Sequence, residues 1–455
     1  MSVIGEELKS SKKAMGDVLA NRALRKIFYA FAGSLIGDGV FTLSAVVYAF
    51  LHGGATAVGV LSFVRYLAIA IAAPFTSTFA DQFDRRRVMV VSDLTRMVLV
   101  GAAAVLVGAH ASRWSVFGIV VLVGLAGSAF RPAQASILPS LARESDEIAG
   151  ANVVSSTIES VGFFAGPALA GFLLAFANVT VAFTFDAATF IWSALLLSTI
   201  RPPRPEDRSP ELIAMQSTPT DVAEMKAQSF LVRAEQGFRI IAHDRDVFIL
   251  VVLYILQCVV AGASAVFTVT IALHLLHIGS SGLGLLESTL GIGGLIGGFV
   301  ALMLASRARM ATDFGLGVIV WAAPLLLIAA FPDLGAALVS MWLIGAANSV
   351  VDVNAITVLQ HRIPNDKLGR VMGALEAGEV AGMAFGALAM TVLIHTTGLR
   401  TGLAIIGTVV TVLVLPAIPA LRRLDRAVFA NGVEHPPRSA HGHRHFLKLG
   451  PRLVR

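Results

Sequence analysis

The sequence predicts an all-α integral membrane protein whose 12 transmembrane helices form two six-helix, pseudo-symmetric bundles. Three observations predict it. The 455 residues are 56% hydrophobic and only 14% charged, against about 25% charged in a soluble domain, so most of the chain must sit in lipid. Twelve segments reach the roughly 20 apolar residues that a membrane helix needs. A pattern Glu-x-x-Gly-x-x-x-Gly occurs twice, at Glu159, Gly162, Gly166 and at Glu379, Gly382, Gly386, about half a chain apart.

Taken in order, residues 1–26 are polar and basic and read as a cytoplasmic segment rather than a cleavable signal, whose apolar region would be short and close to the start. Six spans follow, over 27–50, 57–79, 88–109, 114–134, 152–177 and 179–200, and make a first bundle, 27–200. Residues 201–246 open on Arg201-Pro202-Pro203-Arg204-Pro205 and read as a cytoplasmic linker, with Asp221 to His243 able to form an amphipathic helix at the membrane surface. The second bundle, 247–421, holds spans over 247–275, 282–305, 313–331, 334–359, 371–395 and 400–421. His52-Gly53-Gly54, Asn178 and Pro332-Asp333 mark tight turns, which make neighbouring helices antiparallel. A basic tail, 422–455, carries eight Lys or Arg residues and is expected to be largely disordered.

The net charge of +6 suggests nucleic acid only until the basic residues are placed. Of the 35 Lys and Arg, 30 fall in the two tails and the even-numbered loops, Arg113 and Arg400 fall in odd-numbered loops, and Arg65, Arg96 and Arg131 fall within or at the ends of spans. The positive-inside rule then puts both termini in the cytoplasm of a multi-pass protein of the cell membrane. No nucleic-acid partner is expected. The one cysteine, Cys258, excludes an internal disulfide and a cysteine zinc cluster. No Gly-x-x-x-x-Gly-Lys-Ser/Thr phosphate loop and no His-Glu-x-x-His occur, so neither an ATPase nor another enzyme is expected. His441, His443 and His445 read as solvated tail residues rather than a metal site.

Further matches put the halves in register. Phe41-Thr42 recurs as Phe267-Thr268, and Leu138-Pro139 as Ile363-Pro364. The repeats run in the same direction, related by an axis along the membrane normal. In each Glu-Gly triplet the spacings of three and four put all members on one helix face. A charge at membrane depth costs about 2.5–3.5 kcal/mol on insertion scales, so each intramembrane acid is a candidate for function. A duplicated bundle with a matched acid in each half suggests a transporter. The other ionisable residues in spans are Asp38, Arg65, Asp93, Arg96, Asp186, Glu287, Asp352 and Glu376. Asp93 and Arg96, three apart, can pair on one face as a structural ion pair, and Arg65 is open to the same role.

Two motifs carry a family resemblance. Ser77-Thr78-Phe79-Ala80-Asp81-Gln82-Phe83-Asp84-Arg85-Arg86-Arg87 resembles the loop between spans 2 and 3 of the major facilitator superfamily, with Asp81, Arg85 and Arg86 on its charged positions and Ser77 and Asp84 in place of its glycines. The second-half counterpart, Ser306-Arg307-Ala308-Arg309, is reduced. Gly162-x-x-x-Gly166-Pro167-x-x-Ala170-Gly171 is similar to that superfamily's antiporter motif. Phe130-Arg131-Pro132-Ala133 and Gly369-Arg370-Val371 resemble its drug, macrolide and siderophore exporter branch. One departure stands out: other drug–proton antiporters carry an arginine midway along span 4, and Gly118–Ala129 holds none.

The resemblance implies a major facilitator fold working by alternating access. Asp81, Arg85 and Arg86 become a cytoplasmic latch between halves, and Gly162, Gly166, Pro167 and Gly171 a packing face. Asp38, Arg131, Gln257, Asn348 and Asp352 become cavity candidates. Glu159, Glu287, Glu376 and Glu379 become gate or proton-site candidates, since a carboxyl group in apolar surroundings can load and release protons near neutrality. The expected partners are membrane lipid, a small amphipathic molecule and protons, with a proton gradient in place of any cofactor, and the expected state is a monomer. An acidic site favours cationic drugs and Arg131 an anionic metabolite or siderophore. Import, lipid flipping and membrane sensing stay open as alternatives to efflux.

Overall fold

The computed structural model describes residues 16, 18–200, 230–305 and 309–429. Among these there is no strand, and eleven helices are long and apolar enough to cross a membrane. The first of them, Arg22–Ala72, lies in a longer helix, Arg22–Gln82, that is broken at Gly53 and Gly54, so it supplies spans 1 and 2 and the total is twelve. Gly54 has φ 63° and ψ −160°, a conformation that side chains with a Cβ avoid, which is why the turn needs glycine there. At the other short links a polar side chain closes the next helix. Asn178 accepts from the Val181 amide to start span 6 (Val179–Ser198), and Asp333 accepts from the Ala336 amide to start span 10 (Leu334–Arg362).

Spans 3, 5, 8 and 11 run Arg85–Gly108, Ser145–Phe176, Gly279–Ala305 and Asn365–Thr397. Three spans are less regular than the sequence predicts. Span 4 is two helices, Arg113–Gly127 and Phe130–Leu141, with Ser128 Oγ bonding back to the Leu125 carbonyl at the break. Span 9 divides into Met310–Ala322 and Pro324–Ala330, because Pro324 has no amide to continue the ladder. Span 7, Arg245–Thr270, ends in a π-helical turn, Ile271–Leu275.

The tail differs from expectation. It does not become irregular at Arg422. After span 12 (Leu399–Val414) a helix, Ile418–Phe429, packs Leu421 and Leu424 inward. Asp425 of this helix accepts from the amides of Ala311 and Thr312 and from the Thr312 hydroxyl, at 2.7, 3.0 and 2.6 Å, and so caps span 9. Residues 430–455, with their histidines, lie outside the described residues. So do 201–229 of the linker. Its last part is a helix, Phe230–His243, docked through Gly237 against the Arg370 carbonyl at the start of span 11.

The Glu-Gly repeat works as a packing device. Gly162 and Gly166 of span 5 lie against Leu35 and Gly39 of span 1, and Gly382 and Gly386 of span 11 against Ile255 and Val259 of span 7. Each of these four pairs of counterparts is 220 residues apart (162 to 382, 35 to 255), so the two bundles repeat one another in contact as well as in sequence.

Twelve spans bring the last described helix back to the face on which the first begins, here the terminal face; the opposite face is distal. Toward the distal face the halves share one apolar core, which includes Phe41, Phe183, Phe267 and Leu286. On the terminal side the first half keeps a core of its own, around Leu24, Phe28, Met89, Phe130 and Leu141. Contacts between halves follow the same division. Phe50 meets the His274 ring edge-on at 5.1 Å, Gly59 abuts Thr391, and Gly171 abuts Gly284. Polar ties on the terminal face stay within one half: Lys26 to Thr199, Arg86 to the Ile200 carbonyl, and Arg362 to Asp244. Among the described residues the halves therefore meet distally and part toward the terminal face.

Candidate functional site: a cavity between the bundles and the charges around it

Where the halves part they enclose a cavity of about 560 Å³, lined by spans from both bundles. Its walls are mostly apolar, from residues such as Leu35, Val46, Phe163, Val269, Leu290 and Met383. Ionisable side chains reach it at four points: Asp38, Arg131, Glu159 and Glu287. Asn348, Trp321, Tyr66 and Ser264 add hydrogen-bonding groups.

The four charges are not equivalent. Arg131, at the start of the second helix of span 4, pairs with Glu159 of span 5 at 3.0 Å, and both side chains stay partly open. Arg131 also lies over the Phe31 ring, 5.6 Å from its centre. Glu287 of span 8 is half-buried and has no hydrogen bond or ion pair among the described residues. Asp38 of span 1, between Gly37 and Gly39, is held from behind by Arg96 at 3.0 Å. Gly39 sits backbone to backbone against Gly166, where an added Cβ would come within 2.9 Å of Cα. That close approach presses spans 1 and 5 together and fixes Asp38 at the wall.

Behind that wall lies a buried charge cluster. Arg96 Nη2 pairs with Asp93 Oδ1 at 2.6 Å while its Nη1 reaches Asp38, and Ser193 of span 6 donates to Asp93 Oδ2 at 2.5 Å. The guanidinium stacks over Phe190 at 4.2 Å and Phe130 at 5.1 Å. Asp186, one helical turn before Phe190, is fully buried. The sequence pairing of Asp93 with Arg96 is thus present, with Asp38 and Asp186 gathered around it by spans 1 and 6. Arg65 runs along Gly124 of span 4 instead, and its buried Nε has no partner.

In the second half a hydrogen-bonded network supports the wall. Asn348 Oδ1 accepts from Gln257 at 3.0 Å and from the Trp321 indole at 3.1 Å, and Asn348 Nδ2 donates to Asp352 at 2.9 Å. Tyr254 donates to the other oxygen of Asp352 at 3.4 Å. Gln257 and Asp352 therefore stand behind Asn348 rather than on the cavity surface. Glu379 is within Coulombic range of Asp352, and Glu376 of Glu379, both off the lining. Trp321 and Tyr254 were not legible as site residues: only the need of a buried indole N–H or phenol for a partner hints at them.

At the loop between spans 2 and 3, Asp84 caps span 3 by accepting from the Arg87 amide at 2.9 Å. Arg86 serves its own half, and Arg85 is exposed. The Asp81 side chain and residues 306–308 lie outside what the structure describes. Among the described residues no group of His, Cys, Asp or Glu is placed to hold a metal.

The family model of the Major Facilitator Superfamily matches residues 27–312 and 312–449. The chain belongs to the Major Facilitator Superfamily. It is accordingly a multi-pass membrane transporter and not an enzyme. Among relatives it is similar to the multidrug efflux pump Tap of Mycobacterium tuberculosis, 25% identical over 91% of this chain and 97% of that protein. It also resembles the uncharacterised MFS-type transporter YfiS of Bacillus subtilis, 28% identical over 36% of this chain but only 39% of the relative. In three dimensions it is similar to a POT family transporter solved with 5-aminolevulinic acid (TM-score 0.69, 13% identity, 89% of this chain and 97% of that one). A bacterial homologue of the lysosomal transporter Spinster, solved inward-facing and unoccupied, is similar too (TM-score 0.67, 14% identity, 90% and 98%). At these identities the solved structures support the fold alone.

Proposed function

We propose that this transporter exports an amphipathic, cationic small molecule across the cytoplasmic membrane of a bacterium, in exchange for protons. The terminal face, rich in Lys and Arg, is cytoplasmic in this reading, and the cavity opens to it. The observation that carries the reading is the charge balance of the cavity. Glu159 already neutralises Arg131, while Glu287 has no partner. Apolar walls then take the body of the cargo, and Glu287 with Asp38 meets its positive charge. The full-length similarity to a protein named as a multidrug efflux pump supports export, as does the span 5 motif. The driving force is adequate: exchange of one cation for one proton moves no net charge, so the pH difference drives it, and each pH unit, about 1.4 kcal/mol, sustains a roughly tenfold cargo gradient.

The test is cargo flux in inside-out vesicles holding the protein alone. Ethidium should accumulate when the vesicle interior is made acid, and an uncoupler should abolish the accumulation. Glu287→Gln should lose ethidium while retaining an uncharged macrolide. Accumulation that ignores the pH gradient would overturn antiport, lipid movement without a gradient would favour a flippase, and absence of any flux would favour a sensor.

A further inference from the structure

Three carboxyl groups, Asp38, Asp93 and Asp186, surround one guanidinium in the first bundle. Arg96 spends its two terminal nitrogens on Asp38 and Asp93. Asp186 is left with Thr189, whose hydroxyl lies 3.2 Å from Oδ1, and its carboxyl packs on the backbone of Gly37, next to Asp38. Two buried polar atoms of the cluster have no partner: Asp186 Oδ2, an acceptor, and Arg96 Nε, a donor. They are complementary, and the guanidinium stacks on Phe190, one helical turn along span 6 from Asp186. Spans 1, 3 and 5 pack against span 6, and the charges acting on Asp186 come from spans 1 and 3: Asp38, Arg96 and Asp93.

One positive charge cannot neutralise three carboxylates in a medium where each unpaired charge costs several kcal/mol. With Asp38 and Asp93 engaged, Asp186 is the carboxyl of the three left without an ion pair. Only Asp38 opens on the cavity, its side chain 38% exposed. We propose that Asp186 is the seat of the exchanged proton and that Arg96 couples it to cargo: a cation pairing with Asp38 frees Arg96 Nη1, the guanidinium turns to Asp186, and the proton leaves through the cavity. The charges balance. One cation enters, one proton departs, and the cluster keeps its net charge. This mechanism rests on the export reading above and gives it a single exchange site outside the acids matched between the halves.

The test uses purified full-length protein, tetraphenylphosphonium as the cation, and a weakly buffered solution with a pH indicator. Wild-type protein should release about one proton per cation bound, and its affinity should tighten roughly tenfold for each pH unit upward, as exchange of one proton requires. Asp186→Asn, which keeps the shape of the protonated side chain, should bind the cation with pH-independent affinity and release nothing. Infrared difference spectra of the wild type give a readout that needs no variant: the C=O stretch of a protonated carboxyl should vanish on cation binding. Persistence of that band, or full proton release from Asp186→Asn, overturns the mechanism and leaves gradient-driven export standing if vesicle flux still requires a pH gradient. Loss of that flux requirement in wild-type vesicles overturns both.

Discussion

Arg96 is the charge around which the first bundle is packed. Its stem runs beside Gly127, its head is stacked between two phenylalanines, and it is 3% exposed. Removing it leaves Asp93, itself fully buried, without a counter-ion, and breaking a buried pair from one side costs about 3–5 kcal/mol. Arg96→Ala should therefore lower the thermal unfolding midpoint in detergent sharply. The Arg131–Glu159 pair is the contrast. Its side chains are 57% and 40% exposed, so solvent screens it and it contributes under about 1 kcal/mol. Glu159→Gln should leave the midpoint within scatter and show its effect in flux alone; a large destabilisation would show the pair to be part of the scaffold. The sequence made the first pair legible, since a three-residue spacing on one helix puts two side chains together. It could not reveal that Asp38 and Glu159 find their partners on other helices, or that Asp186 is brought beside them, because those meetings are set by how spans 1, 5 and 6 pack.

At the scale of helices, hydropathic length fixed all twelve spans, and the spacing of small residues fixed the faces that touch. The breaks in spans 4 and 9 were less legible. A helix interruption depends on one residue such as Pro324, and a window of apolar residues averages it away. The tail helix was missed for the opposite reason. Its charges, Arg422, Arg423 and Arg426, mask the inward Leu421 and Leu424, and the signal lay in that three-residue spacing followed by Asp425. Asp425→Ala should strand the amides of Ala311 and Thr312 at a cost of about 1–3 kcal/mol, and hydrogen exchange at the start of span 9 should rise. Gly284 carries a separate prediction. A Cβ there would come within 2.4–3.0 Å of the Gly171 and Pro167 backbone across the seam between halves. Gly284→Val has no space except by parting the distal ends of spans 5 and 8, and overpacking of this kind typically costs about 1–3 kcal/mol. It should shift the protein toward a distally open state, read as faster labelling, by a membrane-impermeant maleimide added on the distal side, of a cysteine placed at the cavity residue Leu43 in a Cys258→Ser background.

For the whole molecule, a core shared by both halves toward the distal face and a separate first-half core toward the terminal face mean that the bundles are joined along the distal part of their length. In the proposed exchange such a seam takes two positions. Packed cores do not deform continuously, so closing the terminal side requires opening the distal side as a rigid rotation. Phe50 and His274 mark the distal closure, and their rings are in contact in the present state. Cysteines at these two positions, joined by a short bis-maleimide in a Cys258→Ser background, should hold the distal side shut. Cation binding from the terminal side should then survive, because the cavity and its acids are untouched, while turnover falls to background and stays there for as long as the link is intact. A cleavable linker should restore flux when it is cut. If the linked protein transports at the uncut rate, the halves do not separate at this end, and the cavity is reached by a route other than alternating exposure of its two mouths.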